Sequence, residues 1–134
     1  MKSQTLTISG GEHDLYAKLE LPADGVIRHY AIFAHCFTCS SSLGVVRHIS
    51  QTLTLQGIAV LRFDFTGLGR SKGNFADTNF SSNVSDLIRV SDYLTANYAT
   101  PEIMIGHSLG GAAVLMATSK LDNIKAVVTI GAPS

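Results

Sequence analysis

Residues 101–121 read PEIMIGHSLGGAAVLMATSKL, and the fold hangs on how this stretch divides. Pro101 marks a restart of the pattern, and Ile103, Met104 and Ile105 form a short apolar run of strand type. From Leu109 the chain reads Gly-Gly-Ala-Ala-Val-Leu-Met-Ala, small and apolar residues that predict a helix reaching Leu121. Between the two lies Gly106-His107-Ser108-Leu109-Gly110, a match to G-x-S-x-G, which sets a serine on a tight strand-to-helix turn. Gly106 and Gly110 leave room for that turn. The first helical amides, beginning with Leu109, point at any negative charge developing beside Ser108. Such a setting suits a nucleophilic serine. The bland competitor is a serine that merely caps a buried helix.

Working outward, residues 5–9 and 15–21 alternate around Gly10-Gly11 and read as a hairpin. Residues 30–34, YAIFA, are a continuous apolar run, the mark of a strand covered on both faces. Ser40, Ser41 and Ser42 offer caps for a helix whose Val45, Val46, Ile49 and Leu53 share one side. Gly57 ends that helix, and residues 58–65 give a second buried strand. After the loop TGLGRSKGNFADT, Asn79, Ser81 and Ser82 are candidate caps for a helix carrying Val84, Leu87, Ile88 and Leu94 on one side. Residues 126–130 supply the last strand. The order ββ, then β-α-β-α-β-α-β, predicts an α/β fold with a mostly parallel sheet of six strands and helices on both faces. Without repeats or linkers, residues 1–134 form a single domain.

The composition is 46% hydrophobic and 15% charged, which fits a packed globular chain and not a disordered one. Ten basic residues balance ten acidic ones with no run of like charge, so neither nucleic acid nor an anionic membrane is an expected partner. The opening MKSQTLTISGGEHD lacks the apolar segment of a signal peptide, and no span is apolar enough for a membrane helix. A cytoplasmic location is expected, and with it no use of Asn79 or Asn83 as glycosylation acceptors. Cys36-Phe-Thr-Cys39 lies beside a helix start, where a thiolate is favoured. Thioredoxin-like chemistry needs that motif on another frame, and Cys36, Cys39 and His48 lack a fourth metal ligand. Gly67-Leu-Gly69 after a strand hints at a dinucleotide loop, yet that fingerprint requires its helix to begin on the glycines. No metal or cofactor is expected.

AHCFTCS, LRFDFTGLGRSKG, TNFSSNVSDL and GHSLGGAAVL together resemble the N-terminal half of an α/β-hydrolase. More narrowly, they are similar to the hydrolase part of bacterial bifunctional proteins that join it to an OsmC-like domain. The likeness covers residues 30–133. It implies a nucleophile elbow after the fifth strand, which is where the strand count puts Ser108. It also implies an oxyanion hole made by the backbone amides of Leu109 and Phe37, with Cys36 standing where the family often has glycine. His35, Cys36 and His107 would line the site.

The same resemblance implies an acid and then a histidine downstream of the serine. After Ser108 the chain holds one acid, Asp122, and no histidine. Asp122 reads as a turn residue at the sheet end opposite the elbow. His107 would point away across the turn, and His35 is the one upstream histidine placed near enough to stand in as base. His13, His29 and His48 fall on a hairpin turn, a strand start and a helix. The expectation is a partial α/β-hydrolase domain acting as an esterase-type serine hydrolase on a small ester or acyl substrate, its acid and base lying beyond residue 134. Its last strand, apolar and uncharged, would leave an edge open to self-association. The alternatives are a non-catalytic remnant or interaction domain on the same scaffold, and a nucleotide-binding α/β domain.

Overall fold

The computed structural model describes residues 1–9, 13–35, 44–67, 71, 73 and 80–131. Strands β1 (Lys2–Ile8) and β2 (Leu15–Leu21) pair antiparallel from Lys2↔Leu21 to Ile8↔Leu15. β3 (His29–Ala34), α1 (Gly44–Leu55), β4 (Ile58–Phe63), α2 (Phe80–Asn97), β5 (Ile103–His107), α3 (Leu109–Thr118) and β6 (Ala126–Ile130) follow. The six strands form one sheet in the order β1-β2-β4-β3-β5-β6. β2 meets β4 antiparallel, whereas β4, β3, β5 and β6 run parallel. The expected mostly parallel sheet with a leading hairpin is the one observed.

β3 is buried from Ala31 to Ala34 because helices cover both faces of the sheet there. Ala31, Phe33, Val60 and Ile105 pack under Val46 of α1. On the opposite face Ile32, Leu61, Phe63 and Met104 pack against Val84, Leu87, Val90 and Leu94 of α2 and Val114 of α3. Phe33, Phe63 and Phe65 are fully buried, and each stabilises the fold by about 2–3 kcal/mol.

Several boundaries shift from the sequence-based expectation. β1 begins at Lys2, not residue 5, because β2 offers partners along its whole length. β4 stops at Phe63, where its ladders with β2 and β3 both end; the Phe65 amide then turns to the His35 ring. α3 stops at Thr118, and the amides of Lys120 and Leu121 fold back onto the carbonyls of Ala117 and Thr118. Val45 leaves the buried stripe of α1 and is 56% exposed. The Gly10-Gly11 turn and the Ser40, Ser41, Ser42 and Asn79 caps lie outside the described residues.

At the starting ends of the parallel strands, Glu102 ties three elements together. Its carboxylate meets His29 Nδ1 and Lys125 Nζ, each at 2.9 Å, and its carbonyl accepts from Lys125 and Ala126. These two partners hold its carboxyl below the ordinary value. The small stabilisation is therefore present above the usual carboxylate pKa and fades as pH falls through the lowered one.

β6 forms the sheet edge, pairing with β5 alone among the described strands. Val128 is 48% and Ile130 37% exposed. The opposite edge, β1, carries Lys2, a charge of the kind that discourages strand addition, and β6 carries none. Replacing Val128 with Lys is expected to lower self-association of the 134-residue chain in sedimentation velocity. An unchanged size distribution would argue that the edge plays no part.

Candidate active site

Ala34 pairs with both Phe63 and Gly106, so β3, β4 and β5 end at one level, and Ser108 emerges at that edge. Among the described residues Ser108 is the one non-glycine with positive φ, at φ 57 and ψ −123. An L-residue held there stores strain and persists only where its surroundings fix it. Here the Ser108 amide donates to Ile130 O at 2.8 Å, and its carbonyl accepts from Gly111 N at 2.9 Å. Ser108 stands at the N-cap of α3 yet makes no side-chain cap hydrogen bond. The capping role is therefore not what places this serine.

The glycines around it are demanded by close backbone contact. A Cβ on Gly106 would lie 2.4 Å from Gly111 Cα and 2.6 Å from Gly110 O. A Cβ on Gly110 would lie 2.4 Å from His35 O and 2.5 Å from Ala34 O. The first turn of α3 thus rests on the carbonyls that end β3. The Leu109 amide sits at the positive end of that helix, as the sequence places it. Cys36 and Phe37 lie outside the described residues.

His35 is fully buried. Its Nε2 lies 3.4 Å from the Phe65 amide and 3.6 Å from Asp64 Oδ1, and its ring meets Phe65 edge-on at 5.3 Å. Nε2 can accept from Phe65 or, protonated, face Asp64, but not both. In either state the ring contacts the exit of β4. His107 shares a strand face with Ile103 and Ile105, toward α1, and its buried Nδ1 has no hydrogen-bond partner among the described residues. Asp122 is exposed in the turn before β6, at the far end of the sheet from Ser108.

A second polar group at the elbow end escaped the sequence reading. Asp86 on α2 accepts from Thr66 N at 2.9 Å and from Thr66 Oγ1 at 2.9 and 3.1 Å. Burial pushes its carboxyl up, against the opposing pull of the Thr66 hydrogen bonds and Arg89. The available signal was position. Asn83, Asp86, Leu87, Val90 and Leu94 follow one helical spacing, which sets an acid on the core stripe.

Residues 27–133 match the family described as serine aminopeptidase, S33. The chain belongs to that family. Its architecture is that of the α/β-hydrolases. The esterase domain of a Rhodothermus marinus protein is 49% identical with a TM-score of 0.82, the match covering 99% of this chain and 51% of that one. Est1E from Butyrivibrio proteoclasticus, solved with ferulic acid, is 30% identical with a TM-score of 0.85, over 91% of this chain and 50% of that one. The mitochondrial palmitoyl-protein thioesterase ABHD10 of Rattus norvegicus is 36% identical over 61 residues, 46% of this chain and 20% of the relative. The hydrolase chain thus spans about half the length of these solved structures and 20% of that thioesterase. Among the described residues no helix is long and apolar enough to cross a membrane.

Proposed function

We propose that this chain is the nucleophile-bearing part of an esterase-type serine hydrolase, and that Ser108 is the nucleophile. The observation that carries this is the strained serine at a strand-to-helix turn, φ 57, with its hydroxyl uninvolved in capping. Ser108 Oγ attacks the carbonyl carbon of an ester or thioester, and the carbonyl oxygen becomes an oxyanion. The backbone amides of Leu109 and Phe37 receive that charge, a contribution of about 3 kcal/mol for each good donor. A general base takes the Oγ proton and returns it to the departing alcohol or thiol, leaving an acyl-serine that water then cleaves.

In this reading the base and its orienting acid lie outside residues 1–134; the absence of a histidine between Ser108 and Ser134 and the contact of the His35 ring with the Phe65 amide support it. Relatives named for ferulic acid and palmitoyl-protein thioester support an acyl substrate whose leaving group is an alcohol or thiol. The likeness of AHCFTCS and TNFSSNVSDL to the bifunctional proteins supports the finer reading that an OsmC-like domain is joined to this hydrolase. The intact mass of the native protein tests that point.

A fluorophosphonate probe tests the nucleophile. The protein carrying this chain together with its base is expected to be labelled at Ser108, and Ser108→Ala to lose the label. Labelling that survives in the Ala variant, or a native protein inert to the probe, would count against a working serine.

A further inference from the structure

At the elbow end of the sheet, two side chains of α2 grip the segments that leave β4 and enter β2. Asp86, 7% exposed, takes both the amide and the hydroxyl of Thr66. One turn along, Arg89 Nη2 donates to His13 O at 2.9 Å. The segments are also tied to each other. Ser71 Oγ donates to Asp64 O and accepts from Tyr16 N at 2.9 Å. Gly73 lies so close to the His13 ring and Thr66 Cγ2 that a Cβ there would sit 2.8 Å from each.

Thr66 leads onward to the nucleophile through described contacts. Its neighbour Phe65 meets His35 by both amide and ring. The His35 carbonyl bears on Gly110, in the first turn of α3 beside Ser108. An apolar side chain at residue 86 would serve the core, since the position lies on the buried stripe of α2. The chain instead keeps a carboxyl there, whose ionised form burial disfavours. Its hydrogen bonds go to Thr66, at the exit of β4.

We infer that Asp86 is a positioning residue: by holding Thr66 and Phe65 it sets His35 and the β3 exit against the elbow. The inference rests on the serine-hydrolase reading, and its test separates the two. Amide exchange, read by NMR on the 134-residue chain, needs no activity. In Asp86→Asn, which keeps the shape but leaves one acceptor oxygen in place of two, exchange at Phe65 and Thr66 is expected to rise about tenfold, the loss of one hydrogen bond. Exchange at Ile32 in the core should stay put, and Tm should hold or rise.

In the full protein the same variant should slow fluorophosphonate labelling of Ser108 about tenfold, the same bond lost, with Thr66→Ser near the wild-type rate because it keeps both donors. Unchanged exchange at Phe65 and Thr66 overturns the inference. So does a rise spread evenly through the core with a lower Tm, the signature of a purely structural residue. A labelling rate equal to wild type despite loosened amides overturns it too. If the wild-type protein takes no label while those amides loosen as expected, the anchor holds and the serine-hydrolase reading falls.

Discussion

Gly106→Ala and Gly110→Ala are each expected to destabilise the chain by about 3 kcal/mol or more, toward the high end for overpacking. A Cβ on Gly106 would lie 2.4 Å from Gly111 Cα, and one on Gly110 2.4 Å from His35 O. Both obstacles are backbone, so no rotamer change relieves them. For Gly110→Ala, α3 must lift from the end of β3. For Gly106→Ala, the elbow must open and the Gly111 N to Ser108 O bond at 2.9 Å must lengthen. In urea the midpoint should fall by about 1–2 M with an unchanged slope. Gly44→Ala is the control, because a Cβ there meets nothing within 4 Å. It should stay within about 1 kcal/mol of wild type and gain from helix propensity. Elbow variants that match the control would show that α3 is not seated on β3 as described.

The strain at Ser108 belongs to the same arrangement. A positive φ costs an L-residue about 1–2 kcal/mol. It is sustained here by the hydrogen bond to Ile130 on one side and by the glycine-dense first turn of α3 on the other. Neither support involves the hydroxyl. The geometry therefore costs stability to hold, at the end of the sheet, a half-buried serine whose hydroxyl does not cap its helix, an arrangement expected of a reactive group.

How much was legible follows from the range of the forces involved. The apolar run at residues 30–34 declared a doubly covered strand, and β3 is one. G-x-S-x-G between an apolar run and a small-residue helix declared the elbow, because a turn that tight depends on a few adjacent residues. Val45 was grouped with Val46, Ile49 and Leu53 on one side of its helix yet faces solvent, and an apolar residue there breaks no local rule. Asp86 was passed over because its partner, Thr66, is twenty residues away, and nothing local announces the pairing. Phe37, implied as an oxyanion donor by resemblance, lies outside the described residues. Glu20 and Arg62 were hardest to see. Each sits in an alternating or buried strand where one polar residue looks like an ordinary outward position.

That pair carries the second large expected effect. Glu20 is 0% exposed, and Arg62 donates to its Oε1 from Nε at 3.1 Å and from Nη2 at 2.9 Å. Ser3 Oγ, from β1, donates to the other carboxylate oxygen. Alternation turns Arg62 toward the α1 side of the sheet, with Val60, and the buried Ser50 and Thr54 of α1 satisfy their hydroxyls within their own helix. The ionic pair is thus a buried charge in a layer whose buried α1 hydroxyls bond within their own helix. Removing one partner breaks a buried ion pair, so Glu20→Ala and Arg62→Ala should each cost about 3–5 kcal/mol. Replacing both at once, Glu20→Leu with Arg62→Met, should cost far less than the sum of the single changes, because neither charge is then stranded. Urea unfolding of the four proteins closes the cycle. Additive costs, or single changes below about 1 kcal/mol, would place the pair in water instead. Strong coupling would show that β1, β2 and β4 are clamped by one ion pair, which lets the hairpin edge hold firm while the elbow edge of the sheet bears the strained serine.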